Sequence, residues 1–139
     1  MFGICNLANI PLRFEPTDRS EIVSQILFGE HFEVLEQLKQ WSKIKLQYDG
    51  YEGWIDSKQF KIITASQFKN LAEEAIILNA DLVEYISAPN DMLIPITLGA
   101  SLSFLDKADI NTEKFDFEGS TIKGIQPKNH IIKTAFLDR

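Results

Sequence analysis

Short runs that alternate apolar and polar side chains dominate the first sixty residues. In one run Phe32 and Val34 fall on one side and Glu33 on the other, and in the next run Ile44 and Leu46 alternate with lysines. Alternation with a period of two residues is typical of strands with one buried and one solvated face. Glycine, proline and aspartate separate the runs, as expected where strands connect through turns. The pattern therefore predicts an antiparallel β domain in this part of the chain.

The segment around Gly50 is expected to be a hairpin. Asp49-Gly50 is the preferred residue pair for a two-residue type I′ turn. In the strand that follows, alternation predicts three residues inward and two outward: Tyr51, Gly53 and Ile55 inward, Glu52 and Trp54 outward. A single helical turn over residues 56–60 and a last strand at residues 61–64 complete the domain. Residues 11–21 are expected to form a polar loop.

The order of elements predicts two domains. Several short strands in so few residues indicate a small β-barrel, and the helix formers after Ser66, which is expected to cap them, predict a short helix. The second half repeats the first faintly, because both contain Pro-x-Asp, an alternating apolar run and a glycine turn. The expected boundaries are a first barrel at residues 1–63, a linker helix at 64–76, a second, divergent barrel at 77–126 and a C-terminal helix at 127–139.

Composition narrows the classes of partner. The 139 residues are 45% hydrophobic and 24% charged, which is ordinary for a globular protein. Two domains of about 65 residues would each be marginally stable alone, so the two halves are expected to pack together. The formal net charge of −6 argues against a nucleic-acid partner, which needs a basic surface, and against adhesion to a membrane of anionic lipid. The charge fits a ligand that carries ammonium groups.

Residues that act as nucleophiles or metal ligands are scarce. The single cysteine, Cys5, excludes an intrachain disulfide, and its apolar neighbours predict a buried structural side chain. His31 and His130 are expected on the surface, and two isolated histidines do not form a metal site. No cofactor is expected. The first residues lack the pattern of a signal peptide and no run reaches the length of a membrane span. The expected location is the cytoplasm, or the cell envelope if a leader was removed.

Residues 53–60, Gly-Trp-Ile-x-Ser-x-x-Phe, resemble the closing signature of Src-homology-3 (SH3) barrels. In that signature the glycine, here Gly53, lets the strand bend, Ile55 and Phe60 fill the core, and Trp54 lies outside. The segments "PLRFEP", "ILFGEHFEVLE" and "WSKIKL" extend the likeness to the bacterial version of the fold. The resemblance implies a mainly β chain of two tandem small SH3-like β-barrels.

One departure from the eukaryotic relatives bears on the ligand. Asp56 and Gln59 stand where the domains that bind proline-rich peptides have a proline and a tyrosine. A proline-rich peptide is therefore not the expected ligand.

The order of parts is similar to the N-terminal portion of NlpC-type cell-wall peptidases, papain-like cysteine peptidases that cut the stem peptides of peptidoglycan. "GICNL", "FGEHFEVLE" and "YEGWID" carry this likeness. In such enzymes one or two bacterial SH3-like domains precede the catalytic domain, and the first helps to recognise the free amino end of a murein peptide. The family's Asp-Cys-Ser-Gly nucleophile motif does not occur here. No catalytic residue is carried over, and the chain is not expected to be an enzyme.

Alternation and the resemblance together select six candidate ligand-binding residues: Arg13, Glu15, Trp41, Tyr51, Glu52 and Trp54. Arg13 would pair with a ligand carboxylate, the glutamates with an amine, and the aromatic rings would stack on the ligand. Asp18 and Asp56 are expected at the same end of the barrel as the two glutamates. The implied ligand is a murein stem peptide or cell-wall fragment. The implied protein partner is a papain-like catalytic domain, in the same chain or in another.

A second interpretation is a generic protein–protein interaction or scaffold module with no murein ligand. Its aromatic residues would then be buried in a contact between domains or between copies. Trp41 fits a core position as well as an outward one. An independent hydrolase would need a site that no residue pattern in the chain indicates.

Overall fold

The architecture is that of a computed structural model, which describes residues 1–73 and 76–124. These residues are mainly β, so the predicted fold class is confirmed at that level. In chain order the elements are β1 (Phe2–Ile4), β2 (Asn9–Arg13), β3 (Ile22–Leu27), β4 (His31–Gln37), β5 (Trp41–Leu46), β6 (Glu52–Asp56), β7 (Lys61–Ile63), α1 (Ala65–Glu73), β8 (Ile76–Asn79), β9 (Val83–Ser87), a 3₁₀ helix (Pro89–Asp91), β10 (Leu93–Thr97) and β11 (Thr121–Gly124). The C-terminal helix predicted at residues 127–139 lies outside the described residues.

The first half forms one antiparallel sheet that curls around a core. The strands are ordered β3-β2-β6-β5-β4-β1-β7, so β3 and β7 are the edges and the sheet is not closed. Strands from both sides of this order contribute to a single buried cluster, which requires the sheet to curl. The cluster includes Ile10, Leu12, Ile26, Phe32, Ile44, Leu46 and Ile55. Burying one such side chain contributes roughly 1.5–3 kcal/mol to folding.

Burial along these strands follows the predicted alternation. Phe32 and Ile44 are fully buried, whereas Glu33 and Lys45 are exposed. Gly53 lies where β2 crosses β6, and a Cβ at this position would meet Leu12 Cγ at 2.6 Å. The glycine is therefore needed for the close approach of two strands.

Two local expectations for the first half are wrong. The polar loop predicted at residues 11–21 begins later, because residues up to Arg13 belong to β2, where Leu12 is fully buried. The connection from β5 to β6 is not a two-residue turn. A type I′ turn requires positive φ at both central residues. Gly50 has a φ of +74°, but Asp49 is not among the residues with positive φ.

The longer connection buries one tyrosine, Tyr48, and exposes another, Tyr51. The Leu46 N–H donates to the Tyr51 carbonyl oxygen at 2.9 Å and closes the loop. Tyr48 turns inward within this loop and is buried in a cluster with Ile76 and Leu78. Tyr51 lies just before β6 and is 44% exposed. The predicted inward position of Tyr51 is therefore wrong, and its side chain is accessible to a ligand.

Helix α1 connects the halves within the predicted linker. Its cap is Thr64 and not Ser66, because the Thr64 hydroxyl accepts a hydrogen bond from the Gln67 N–H (3.1 Å). The Gln67 side-chain oxygen accepts in return from the Thr64 N–H (2.9 Å). This reciprocal pair is a capping box.

The second half does not form a closed barrel within its described residues. It contains two separate two-stranded sheets, β9–β10 and β8–β11. Ser101 forms only an isolated bridge with Leu78. Residues 100–104 are all buried, whatever their parity, so they do not form a strand with one solvated face. The predicted second barrel is not confirmed.

A turn of the first half is nevertheless repeated in the second. The Gly29 N–H donates to the Cys5 carbonyl oxygen (2.7 Å), and the Cys5 N–H donates to the Glu30 carbonyl oxygen (2.9 Å). The second half has the same two backbone bonds at corresponding places. The Gly99 N–H donates to the Asn79 carbonyl oxygen (2.9 Å), and the Asn79 N–H donates to the Ala100 carbonyl oxygen (2.9 Å). Both glycines have positive φ, +80° and +87°. In each half a hairpin precedes this turn, β2–β3 or β9–β10.

The two halves share one core, as the marginal size of each predicts. Phe28 from the first half is fully buried, and its ring lies 5.5 Å from the rings of Phe104 and Phe115 of the second. Ile4 and Ile96 belong to the same buried cluster. Apolar residues outside the strands, such as Phe28 and Phe104, pack in this shared core. The hydrophobic core of each half is therefore incomplete without the other half.

Candidate ligand-binding face

The outward side of the first sheet brings several candidate residues together, and we call it the outer face. It consists of Trp41, Lys43 and Lys45 of β5, Glu52, Trp54 and Asp56 of β6, and Arg13 of β2. Cross-strand register defines it, since Trp54 lies opposite both Lys43 and Arg13, and partners in register project on the same side. Trp54 therefore has a cation on each neighbouring strand.

Inward residues fix this orientation. Ser42, Ile44 and Ile55 are fully buried, so the positions between them on β5 and β6 must point outward. The hydroxyls of Ser42 and Ser57 share a hydrogen bond of 2.7 Å, which holds the turn after β6 against β5. Trp41 and Trp54 are both partly buried, and the register makes them diagonal neighbours. Trp41 is thus on the outer face and outside the core.

Arg13 has a structural task as well as an outward position. Its Nη1 donates to the carbonyl oxygens of Asp18 (3.1 Å) and Ser20 (3.0 Å). These bonds close the loop at residues 14–20. The Glu15 N–H donates to the Ser20 hydroxyl in the same loop (2.8 Å), and the Glu15 side chain is exposed.

The candidate acids do not all lie at one end. Because β2 and β6 are antiparallel, the loop after Arg13 leaves toward the end where β6 begins. Glu15 therefore lies on the same side as Tyr51 and Glu52. Asp56 lies at the opposite end of β6, across from Trp41, so the prediction that it shares an end with Glu52 is wrong. Its carboxylate accepts a hydrogen bond from the Lys58 N–H (2.8 Å).

Two residues of this region were missed by the sequence reasoning. Lys43 is the cross-strand neighbour of Trp54 and lies closer to it in register than any candidate except Arg13. Phe14 is 64% exposed beside Glu15. Phe14 follows the last residue of β2, Arg13, so it belongs to the loop, where the alternation of the strand no longer applies.

Cys5 is unsuited to act as a nucleophile. Its side chain is fully buried, and its Sγ lies 3.2 Å from the Leu7 carbonyl oxygen. Burial raises the pKa of the Cys5 thiol to about 12, and the Glu30 carboxylate raises it too. A nucleophilic cysteine needs the opposite shift. The predicted structural role is confirmed.

The two histidines differ in what the structure describes of them. His31 is partly buried, with its ring edge-on to Phe68 at 5.3 Å, so its predicted surface position is wrong. His130 lies outside the described residues. Within residues 1–73 and 76–124, no three His, Cys, Asp or Glu side chains are grouped as a metal site. None of the helices in that part of the chain has the length and apolar character needed to cross a membrane.

Comparisons with known proteins bear on the same region. Residues 12–60 match the family described as the bacterial dipeptidyl-peptidase Sh3 domain. Among solved structures, the chain is similar to an NlpC/P60 family protein from Bacillus cereus, with a TM-score of 0.59 and 12% sequence identity. The similarity covers 73% of this chain and 47% of that one. No protein of curated function matches the chain.

These findings agree with the resemblance seen in the sequence. The family match confirms the likeness to a bacterial SH3 domain of peptidases over residues 12–60. At 12% identity the structural likeness shows the fold alone. This chain spans about half the length of that structure. The segment that matches the family contains all six predicted ligand-binding residues.

Proposed function

We propose that the chain is a non-catalytic module that recognises a murein stem peptide or cell-wall fragment for an NlpC-type peptidase. The observation that carries the proposal is the placement of exposed acids, aromatic rings and cations on one face of the segment that matches a bacterial peptidase Sh3 domain. The catalytic residues would belong to a papain-like domain in the same chain or in another. The partner would act where murein peptides occur, at the cell envelope or on fragments in the cytoplasm.

The outer face suits a ligand with charges of both signs. Glu52 and Glu15 at one end would hold the free amine of a stem peptide, and Tyr51 would pack beside it. Lys43 and Arg13 flank Trp54, two residues further along β6. Two residues of a strand span roughly 7 Å, which matches the separation of an amine and the next carboxylate in a short peptide. The carboxylate would pair with the cations while the ligand backbone stacks on Trp54.

The domain boundaries belong to the same proposal. Residues 1–63 would be the first SH3-like unit, 64–76 the linker, and 77–126 a diverged second unit. The repeated turn at Gly29 and Gly99, each after a hairpin, supports the second assignment. Residues 127–139 would lead toward the catalytic domain.

A protein–protein interaction module without a murein ligand is the second candidate. The exposed apolar side chains of Val83, Tyr85 and Leu93 on the β9–β10 ribbon favour it. This ribbon lies outside the segment that matches the peptidase domain family. The two candidates therefore place binding on different surfaces, and mutation separates them.

The test is tryptophan fluorescence titration with the free-amine stem peptide L-Ala-γ-D-Glu-diaminopimelate. Glu52→Gln should weaken binding about tenfold, because a charge-assisted hydrogen bond is lost. Glu33→Gln is the matched control, since Glu33 and Glu52 flank Lys45 from opposite strands and both are exposed. The control should bind within about twofold of the unaltered chain. Equal loss in both variants, or no saturable signal, would refute the peptide site and leave the interaction module.

A further inference from the structure

The β9–β10 ribbon exposes one uncharged face, which we call the ribbon face. It consists of Val83, Tyr85, Ser87, Leu93, Pro95 and Thr97, all exposed. Val83, Tyr85 and Leu93 are 61%, 50% and 56% exposed. The opposite face is core, where Ile86 and Ile96 are almost fully buried. Both faces of the ribbon thus carry apolar residues, and only one face is covered within residues 1–73 and 76–124.

The ribbon face is exceptional in a chain of net charge −6. Its six residues include neither an acid nor a base. Large contiguous apolar surface in contact with water marks an interaction site. Two acidic copies repel each other in general, so an uncharged face is where they can approach.

The edges of the ribbon are poorly suited to pair with a further strand. Cross-strand bonds at Ala88–Met92 and Leu82–Leu98 place the backbone groups of Tyr85 and Pro95 toward the outside. Pro95 has no N–H to offer on the β10 edge. On the β9 edge the Tyr85 N–H donates to the Glu84 carboxylate (3.0 Å), and Ser87 exchanges two bonds of 2.9 Å with Asp116. A partner must therefore cover the face.

We propose that the ribbon face is the contact of a twofold dimer, in which the ribbons of two copies pack face to face. Tyr85 and Pro95 form the central cross-strand pair, so a twofold axis that runs parallel to the strands between the two faces sets Tyr85 of each copy over the proline of the other. Both copies then contribute the same surface, as in every isologous contact. Packing at the distance of stacked sheets, about 10 Å, lets the side chains interdigitate.

The available area supports a second copy as the occupant. A large side chain that is about half exposed offers roughly 100 Å². The three large side chains of the ribbon face and its three smaller ones together offer roughly 450 Å² per copy, or about 900 Å² for the pair, which is the size of a weak, transient interface. This dimer is independent of the peptide site, because the outer face lies on a different sheet.

Sedimentation equilibrium of the full chain, from micromolar to millimolar concentration, tests the proposal. The mass should rise to twice that of one chain. Val83→Glu should weaken self-association at least about tenfold, because it buries an unpaired carboxylate. Ile62→Glu on β7 is the matched control, since Ile62 and Val83 are both 61% exposed, and it should dimerise as the unaltered chain does.

A cross-link then locates the contact. Cys5 is buried, so a cysteine introduced by Ser87→Cys is the accessible thiol and should yield covalent dimers with a short bismaleimide, whereas Ile62→Cys should not. A chain that stays monomeric at millimolar concentration overturns the proposal. So does a dimer that Val83→Glu leaves intact, or equal loss of dimer in the Val83 and Ile62 variants.

Discussion

Gly29 approaches Ser101 so closely that a Cβ on Gly29 would lie 1.7 Å from the Ser101 carbonyl oxygen. The adjacent Ser101 N–H donates to the Phe28 carbonyl oxygen at 2.8 Å. This contact joins the two halves beside the aromatic cluster of Phe28, Phe104 and Phe115. The turn is thus both a repeated local structure and the point where the halves are fastened together.

Gly29→Ala should destabilise the protein by about 3 kcal/mol or more, since it adds a backbone clash to the cost of positive φ. Gly50→Ala is the matched control. Gly50 also has positive φ, but its Cβ would meet only the flexible end of Lys45, at 3.8 Å, so about 1 kcal/mol is expected. Urea denaturation measures both. Equal losses would mean that the approach to Ser101 relaxes freely.

Thr64→Ala should cost about 1 kcal/mol of stability, because it removes the side-chain cap of α1. Ser66→Ala, two residues beyond the cap, should change stability by only a few tenths of a kcal/mol. Thermal unfolding followed by circular dichroism compares the two. A larger loss for Ser66→Ala would place the cap where the sequence alone suggested it.

Acid should weaken the ion pair between Glu113 of the second half and Lys61 of the first. Its carboxylate forms a 2.6 Å ion pair with Lys61. Burial alone would raise the pKa of Glu113, but hydrogen bonds from Lys61, Thr112 and Asn6 outweigh burial and lower it. The folded state therefore binds this proton less readily than the unfolded chain does. The stabilisation is present above the unfolded pKa of about 4.3 and is lost as the pH falls through the folded pKa.

The free energy of unfolding should thus fall more steeply with acid in the unaltered chain than in Glu113→Gln, between about pH 5 and 3. Glu118→Gln, which alters an exposed glutamate, should keep the original slope. Urea titrations at several pH values measure this. Parallel curves for the unaltered chain and Glu113→Gln would show that the pair contributes nothing to folding.

Cys5 should resist thiol reagents in the folded protein. Because the pKa of the Cys5 thiol is about 12, little thiolate is present at pH 8. Labelling of the folded protein should therefore be slower than labelling of the unfolded chain by about a hundredfold or more. Because the unfolded thiol loses its proton near pH 8.5, stability should also decline above that pH. Rapid labelling of the native protein would contradict the burial. Ser66→Cys in a Cys5→Ala background supplies the exposed reference thiol.

The sequence predicted the first half well because its signal is local. Alternation placed Phe32 and Ile44 inward and Lys45 outward, and the closing signature placed Trp54 on the outside. Failures arose where the chain departs from strict alternation. Phe14 is exposed because β2 ends at Arg13, and the loop that buries Tyr48 leaves Tyr51 in solvent. No periodicity reports such events.

The second half was harder because its apolar residues serve tertiary contacts. Leu102 and Phe104 alternate like a strand, yet the residues between them are buried as well. These residues pack with Phe28 in the core that both halves share, and that packing is visible only in the folded chain. The same holds for the site, since the neighbours of Trp54, Lys43 and Arg13, are set by the register between strands.

The proposed binding of a murein stem peptide to the outer face is tested most directly by an amide-resolved NMR titration with the free-amine peptide L-Ala-γ-D-Glu-diaminopimelate. Saturable shifts are expected at Glu15, Lys43 and the segment from Tyr51 to Trp54, with the β9–β10 ribbon unchanged. A flat response at millimolar peptide, or shifts confined to the ribbon, would contradict the proposal.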